Sequence, residues 1–159
     1  MLLQIVFLGD STNRGIMTEL IQRANGTLWA DEKIHSVKTY ELNLGANHNA
    51  TLAFGYFPQF WLPERRRPSL TKTLHQILQS IGAVEPAETV FVVGGLQFLR
   101  PSHLFELKKA LSRRGLEGSK VIIKSFGSGF FLSAPGVKHI EKVSIGNCNV
   151  NSMEKKLMS

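Results

Sequence analysis

The sequence has one cysteine, Cys148, among its 159 residues. A single thiol cannot form a disulfide within the chain, and it provides neither a zinc site of cysteine thiolates nor a Cys-x-x-Cys redox pair. Glu32 and His35 are three residues apart, but no second acid or histidine motif accompanies them, so a surface pair is the simpler interpretation. We therefore expect no metal and no cofactor.

Long apolar runs are also missing. The first run, Leu2 to Leu8, follows no basic residues and stops at Gly9, so it is too short for a signal peptide or a membrane span. Asn25 and Asn49 nevertheless each begin an N-glycosylation sequon, which favours a secretory setting. We therefore expect the chain to have no signal peptide of its own, and a fragment or alternative product of a longer secretory protein would reconcile these facts.

Acidic residues are outnumbered, with 12 Asp and Glu against 19 Lys and Arg and a net charge of +7. Such a charge suits an anionic partner, but the basic residues are spread over several segments and no nucleic-acid-binding motif accompanies them. Arg65 to Arg67, between Pro63 and Pro68, indicate a solvated loop or a contact to an anionic glycan. We do not expect nucleic acid as a partner, and a basic anion-binding α/β domain remains one functional hypothesis.

Strand and helix patterns alternate along the chain. Apolar, β-prone runs predict buried strands at Ile5–Leu8, Thr89–Val93 and Lys120–Lys124, with a further strand within His35–Leu44. Helical spacing of apolar residues predicts three helices, the first over 16–24. The second begins after Pro68-Ser69 and stops at Gly82, and the third begins at Pro101-Ser102 and ends in Arg113-Arg114-Gly115. This order predicts an α/β fold, a three-layer α/β/α sandwich with a mostly parallel sheet.

Ser11 lies where the first predicted strand gives way to the first predicted helix. Ligands of open α/β sheets bind at the carboxyl ends of strands, and N–H groups at a helix amino terminus can stabilise a developing oxyanion. The alternative is that Asp10, Ser11 or Thr12 simply caps the helix, because these residue types are preferred there. Ser11 is therefore predicted to be either a catalytic nucleophile or part of a cap.

The motif Gly9-Asp10-Ser11 resembles the first conserved block of the SGNH (GDSL-like) hydrolases. Extended to Thr12 and Arg14, it resembles the PC-esterase branch, which includes the plant polysaccharide O-acetyltransferases. Phe57-Pro58-x-Phe60 is similar to an aromatic, proline-containing segment of those enzymes. The resemblance implies an SGNH-type, flavodoxin-like fold. It also implies acyl-ester hydrolysis or acyl transfer by Ser11 on an acylated glycan or glycoprotein, with the parent protein in the secretory pathway or outside the cell.

The same resemblance implies two further groups around the oxyanion. Gly45, in the loop Asn43–Asn49, could match the second block, whose glycine donates its backbone N–H. A turn glycine with positive φ explains it equally well. Gln97 follows the strand Thr89–Val93 where the third block has an asparagine, and its side-chain amide has the same chemistry one methylene further out.

Aromatic residues are concentrated between Phe54 and Trp61. Such concentrations most often pack in the core, and a wall on which a sugar ring stacks is the second interpretation. The sequence does not decide between the two.

The histidine base that a serine nucleophile needs is the weakest part of the resemblance. SGNH enzymes carry it in an Asp-x-x-His motif near the carboxyl end, and this sequence has none. His139 is late enough but has only Glu141 nearby to orient it. We expect an incomplete, carboxyl-truncated domain over 1–142 and a poorly ordered tail over 143–159. The alternative function is a catalytically inactive binding or interaction module, so the enzyme assignment stays open.

Overall fold

The structure, a computed structural model, describes residues 2–24, 35–45, 48–83, 85–95 and 99–124. All of them belong to one compact unit, Met1–Gly127. The helices are α1 (Ser11–Ala24), α2 (Leu70–Ile81) and α3 (Pro101–Ser112). The strands are β1 (Leu2–Gly9), β2 (Lys38–Asn43), β3 (Asn49–Tyr56), β4 (Thr89–Gly94) and β5 (Lys120–Lys124). The predicted boundary at residue 142 lies outside the described residues.

The five strands form one sheet in the order β2-β3-β1-β4-β5. β1 is parallel to both of its neighbours, β3 and β4, and β5 is parallel to β4. Only β2 runs antiparallel, because it forms a hairpin with β3. The predicted α/β class with a mostly parallel sheet is confirmed.

Alternate residues of β1 build the two halves of the core. Val6 and Leu8 pack on one face with apolar side chains of α2 and α3, whereas Phe7 packs on the other face with Met17 and Ile21 of α1. Helices therefore cover both faces of the sheet, which is compatible with a three-layer α/β/α arrangement. None of the described helices could span a membrane, since none is both long enough and apolar enough.

The helix boundaries follow from residues that the sequence identifies. The Ser69 side chain accepts a hydrogen bond from the Lys72 N–H at 3.2 Å, which caps the start of α2, and Gly82 ends that helix with φ 74°. α3 begins at Pro101, and Gly115 follows it with φ 66°. The predicted start and stop signals of both helices are confirmed.

Gly9, the last residue of β1, lies in very close contact with β4. A Cβ atom added to Gly9 would lie 1.8 Å from the carbonyl oxygen of Gly94 and 2.8 Å from Nδ2 of Asn13. No side chain fits between the ends of these two strands, so their separation depends on glycine at this position.

We expect Gly9→Ala to lower the free energy of unfolding by about 1–3 kcal/mol or more, because the new methyl group overlaps the backbone of β4. Gly15→Ala is the matched control. A Cβ there meets nothing within 4 Å, and alanine in a helix gains about 0.5–1 kcal/mol over glycine. Urea unfolding of both variants measures the two effects, and equal stabilities would contradict the close contact of β1 with β4.

Candidate functional site

Ser11 is the first residue of α1 and is exposed at the carboxyl end of β1. From β1 the chain passes through α1 to the β2–β3 side of the sheet, then returns through α2 to β4 on the other side of β1. The end of β1 is thus the point at which the direction of the connections reverses. In open α/β sheets, the crevice at this switch point is where ligands bind.

Asp10, rather than Ser11, caps α1. Its Oδ1 accepts hydrogen bonds from the N–H of Thr12 at 2.9 Å and from the Thr12 hydroxyl at 2.6 Å. Its backbone carbonyl accepts the N–H groups of Asn13 and Arg14 at 3.1 and 3.2 Å. The Ser11 side chain forms no hydrogen bond with any other described residue, so its hydroxyl has no capping role there.

Asn13 connects α1 to the ends of two strands. It is completely buried, and its Nδ2 donates to the carbonyl oxygens of Leu8 at 3.1 Å and Val92 at 3.3 Å. These two acceptors determine how the amide is oriented. If the amide were turned over, Oδ1 would take the position of Nδ2 and face two carbonyl oxygens. Sequence reasoning missed this residue, since no local pattern reveals a contact that spans 79 residues.

The carboxyl end of β4 lies beside the end of β1 at the switch point. A Cβ added to Gly95 would lie 3.0 Å from Oδ2 of Asp10, so the residue after β4 lies against the residue before Ser11. Gln97 follows two positions later and lies outside the described residues. Its proposed side-chain contact to the oxyanion stays a prediction.

The structure places Gly45 away from Ser11. β3 is parallel to β1 with Asn49 beside Leu2, so the β2–β3 turn lies at the amino end of β1. The seven residue steps from Leu2 to Gly9 correspond to about 23 Å. Gly45 is a turn residue with φ 79°, whose N–H donates to Asn43 Oδ1 at 2.9 Å. The antiparallel hairpin therefore rules out Gly45 as a neighbour of Ser11, and the interpretation as a turn glycine is correct.

Aromatic side chains do lie at the edge that carries Ser11. Tyr56 pairs with Gly9, and the next residue, Phe57, donates its N–H to the Gly9 carbonyl at 2.9 Å. Tyr56 is buried, whereas Phe60 and Trp61 are 42% and 40% exposed. The core interpretation is thus correct for Phe54 and Tyr56, whereas a sugar-stacking role of the exposed Phe60 and Trp61 stays a prediction.

We call His35, Tyr56, Phe60 and Trp61 the aromatic platform. The ring centroids of Trp61 lie 4.4 Å from His35, 4.8 Å from Tyr56 and 6.0 Å from Phe60. The guanidinium of Arg14 lies 6.0 Å from the Tyr56 ring centroid, which connects the platform to the first turn of α1. The platform and Ser11 therefore share one edge of the sheet.

Two histidines occupy this part of the fold. His35 is exposed within the platform, and the half-buried His103 packs edge-on against Phe57 and accepts the Arg100 N–H through Nδ1 at 3.2 Å. Neither forms a hydrogen bond with the Ser11 hydroxyl in the part of the chain that the structure describes. His139 and Glu141 lie outside that part, as does Glu32. The base for Ser11 is therefore not identified.

No protein-family model matches the chain. The resemblance to the SGNH hydrolases therefore depends on the sequence motifs at Gly9-Asp10-Ser11 and Phe57-Pro58-x-Phe60, and it stays a prediction.

We expect Asn13→Ala to lower the free energy of unfolding by about 1–3 kcal/mol, because it leaves the buried Leu8 carbonyl and the partly buried Val92 carbonyl without this donor. Gln22→Ala on the exposed side of α1 is the control and should change stability by no more than about 0.5 kcal/mol. Thermal or urea unfolding measures both. An Asn13→Ala variant as stable as the control would contradict the role of this amide.

Proposed function

We propose that the protein carries a serine-dependent acyl-ester site, in an SGNH-type α/β/α fold of the PC-esterase branch. Its reaction is hydrolysis or transfer of an acyl group on a glycan or glycoprotein, with Ser11 as the nucleophile. One observation carries the proposal: an exposed serine begins a helix at the switch point of the sheet, while its neighbour Asp10 does the capping.

The first turn of α1 supports this chemistry. The N–H of Thr12 is used by the Asp10 side chain, and those of Asn13 and Arg14 by the Asp10 carbonyl. The N–H of Ser11 has no acceptor among the described residues, so it is the donor available to an oxyanion formed beside its own hydroxyl. The positive end of the helix dipole adds to the stabilisation of negative charge there. Gln97 is the proposed second donor.

The reaction follows from these positions. The Ser11 hydroxyl attacks the ester carbonyl while a base accepts its proton, and the base then returns this proton to the leaving oxygen as the tetrahedral intermediate expels the alcohol. Water or an acceptor hydroxyl then releases the acyl group. A base must accept the proton, because a serine hydroxyl near neutral pH is hardly nucleophilic without one, and in the SGNH hydrolases that this motif resembles the base is a histidine.

The aromatic platform supports a sugar-containing substrate. Faces of aromatic rings pack against apolar surface while polar groups at the edges stay solvated, which suits a pyranose ring. The exposed Phe60 and Trp61 lie at the Ser11 edge, so a sugar that covers them can present its ester to the hydroxyl. Asn49 is exposed at the opposite end of the sheet, and a glycan attached there in the secretory pathway would leave this edge open.

A second candidate function is a binding module that recognises acylated glycans without turnover. It is favoured because the Ser11 hydroxyl donates no hydrogen bond to a histidine among the described residues. The two candidates share the platform but differ in whether Ser11 reacts.

A fluorophosphonate probe separates them, because it modifies only activated serines. We expect the wild-type chain to be labelled, Ser11→Ala to lose the label, and Ser102→Ala, an exposed serine in the first turn of α3, to keep it. Intact-protein mass spectrometry gives the stoichiometry. A folded wild-type chain that stays unlabelled would contradict the esterase proposal and support the binding module.

The platform has its own test. In the Ser11→Ala background, which prevents turnover, Trp61→Ala should weaken binding of an acetylated β-1,4-linked tetrasaccharide by about two- to tenfold, since one aromatic contact contributes about 0.5–1.5 kcal/mol. Leu44→Ala is the control, because Leu44 is 48% exposed at the far end of the sheet. Calorimetric titration measures both, and equal losses in the two variants would contradict a sugar contact at the platform.

A further inference from the structure

A groove of about 460 Å³ lies between α2 and α3, on the face of the sheet opposite α1. Its floor is apolar, formed by the buried side chains of Leu74 and Ala110. Its rim is polar and exposed, formed by Thr71, His75, Arg113 and Arg114. None of these residues belongs to the Ser11 site.

Helical spacing explains why these side chains meet. Thr71 and His75 are four residues apart on α2, so they lie one above the other on the same side of the helix. Arg113 and Arg114 follow Ala110 by three and four residues and share a side in the same way. Alanine at position 110 is small, which leaves the space above Leu74 open between the two helices.

The rim carries positive charge without nearby negative charge. None of the described residues that line the groove is acidic. Neither Arg113 nor Arg114 forms an ion pair with a carboxylate in the described ranges. The closest acid along the chain, Glu117, accepts a hydrogen bond from the Ser112 hydroxyl at 2.8 Å, and this bond lowers the pKa of its carboxyl.

The carboxyl end of α3 does not require these arginines as caps. Backbone N–H groups of Arg113, Arg114 and Gly115 already donate to the carbonyls of Lys109, Leu111 and Ser112, and Leu116 donates to Leu111 as well. Cations near a helix carboxyl terminus are favourable in general. That effect alone does not account for Arg114, whose guanidinium reaches across the groove and contacts Nδ1 of His75 on α2.

We propose that this groove is a binding site for a sulfate or phosphate ester group. The planar guanidinium groups of Arg113 and Arg114 match the paired oxygens of such a group and donate parallel hydrogen bonds to it. The Thr71 hydroxyl and a ring N–H of His75 donate from the opposite wall, and the apolar floor accommodates the carbon skeleton that bears the ester. The site is independent of the proposed reaction at Ser11.

The test is calorimetric titration of the full chain with glucose 6-sulfate, glucose 6-phosphate and glucose at low salt. We expect at least one ester to bind and glucose not to bind. The ester that binds more tightly identifies the chemical source of the group, and its affinity should fall as salt is added.

Two double variants remove the same charge from different places. Arg113→Gln with Arg114→Gln should weaken ester binding at least tenfold, whereas Arg65→Gln with Arg66→Gln, exposed residues before α2, should change it less than twofold. Thr71→Val removes one donor without changing charge and should weaken binding measurably. Equal losses in the two double variants would show a diffuse charge effect and overturn the site, as would a wild-type chain that binds neither ester.

Discussion

The contact between the ends of β1 and β4 is the constraint on which the rest of the structure depends. Gly9 lies so close to the carbonyl of Gly94 that no side chain fits, and Asn13 joins both strands from the first turn of α1. Together they fix the angle at which the chain leaves β1. The position of Ser11, one residue after the Asp10 cap, is a consequence of that geometry.

The Ser11 edge of the sheet and the groove between α2 and α3 differ in chemistry. The carboxyl ends of the parallel strands carry Ser11 and the aromatic platform, which suit a neutral ring with a reactive ester. Arg113 and Arg114 follow the carboxyl end of α3 and, with Thr71 and His75 of α2, line the basic groove on the face of the sheet opposite α1. The chain can therefore present two kinds of ligand surface that do not compete for residues.

Local signals in the sequence determined much of this architecture. β1, β4 and β5 each contain an apolar run, although β5 is an edge strand and its Ile122 is 52% exposed rather than buried as predicted. Ser69, Gly82 and Gly115 end or begin helices for reasons that lie within a few residues. Gly45 shows where such reasoning stops. A glycine-rich loop after a strand has the same sequence pattern whether the next strand forms a hairpin or a parallel crossover. The pattern alone therefore does not predict which strand pairing forms.

The candidate site was predictable only where it depends on residues that are close together in the sequence. The position of Ser11 depends on one strand and one helix that are adjacent in the chain, so the motif located it. Asn13, the exposure of Trp61 and the contact of Arg114 with His75 depend on segments that meet only after folding. No spacing rule applied to one segment could reveal them.

The hydrogen bonds from Asn13 to the ends of β1 and β4 also affect how the protein folds. β2 and β3 are neighbours in the chain and close over a short loop, but the bond from Asn13 to Val92 closes a loop of 79 residues. Contacts of such high sequence separation carry a larger entropic cost and slow folding. The close approach of Gly95 to Asp10, beside Ser11, forms only once β4 has joined β1, so an intermediate that contains only the β2–β3 hairpin and α1 has the serine without its neighbours from β4.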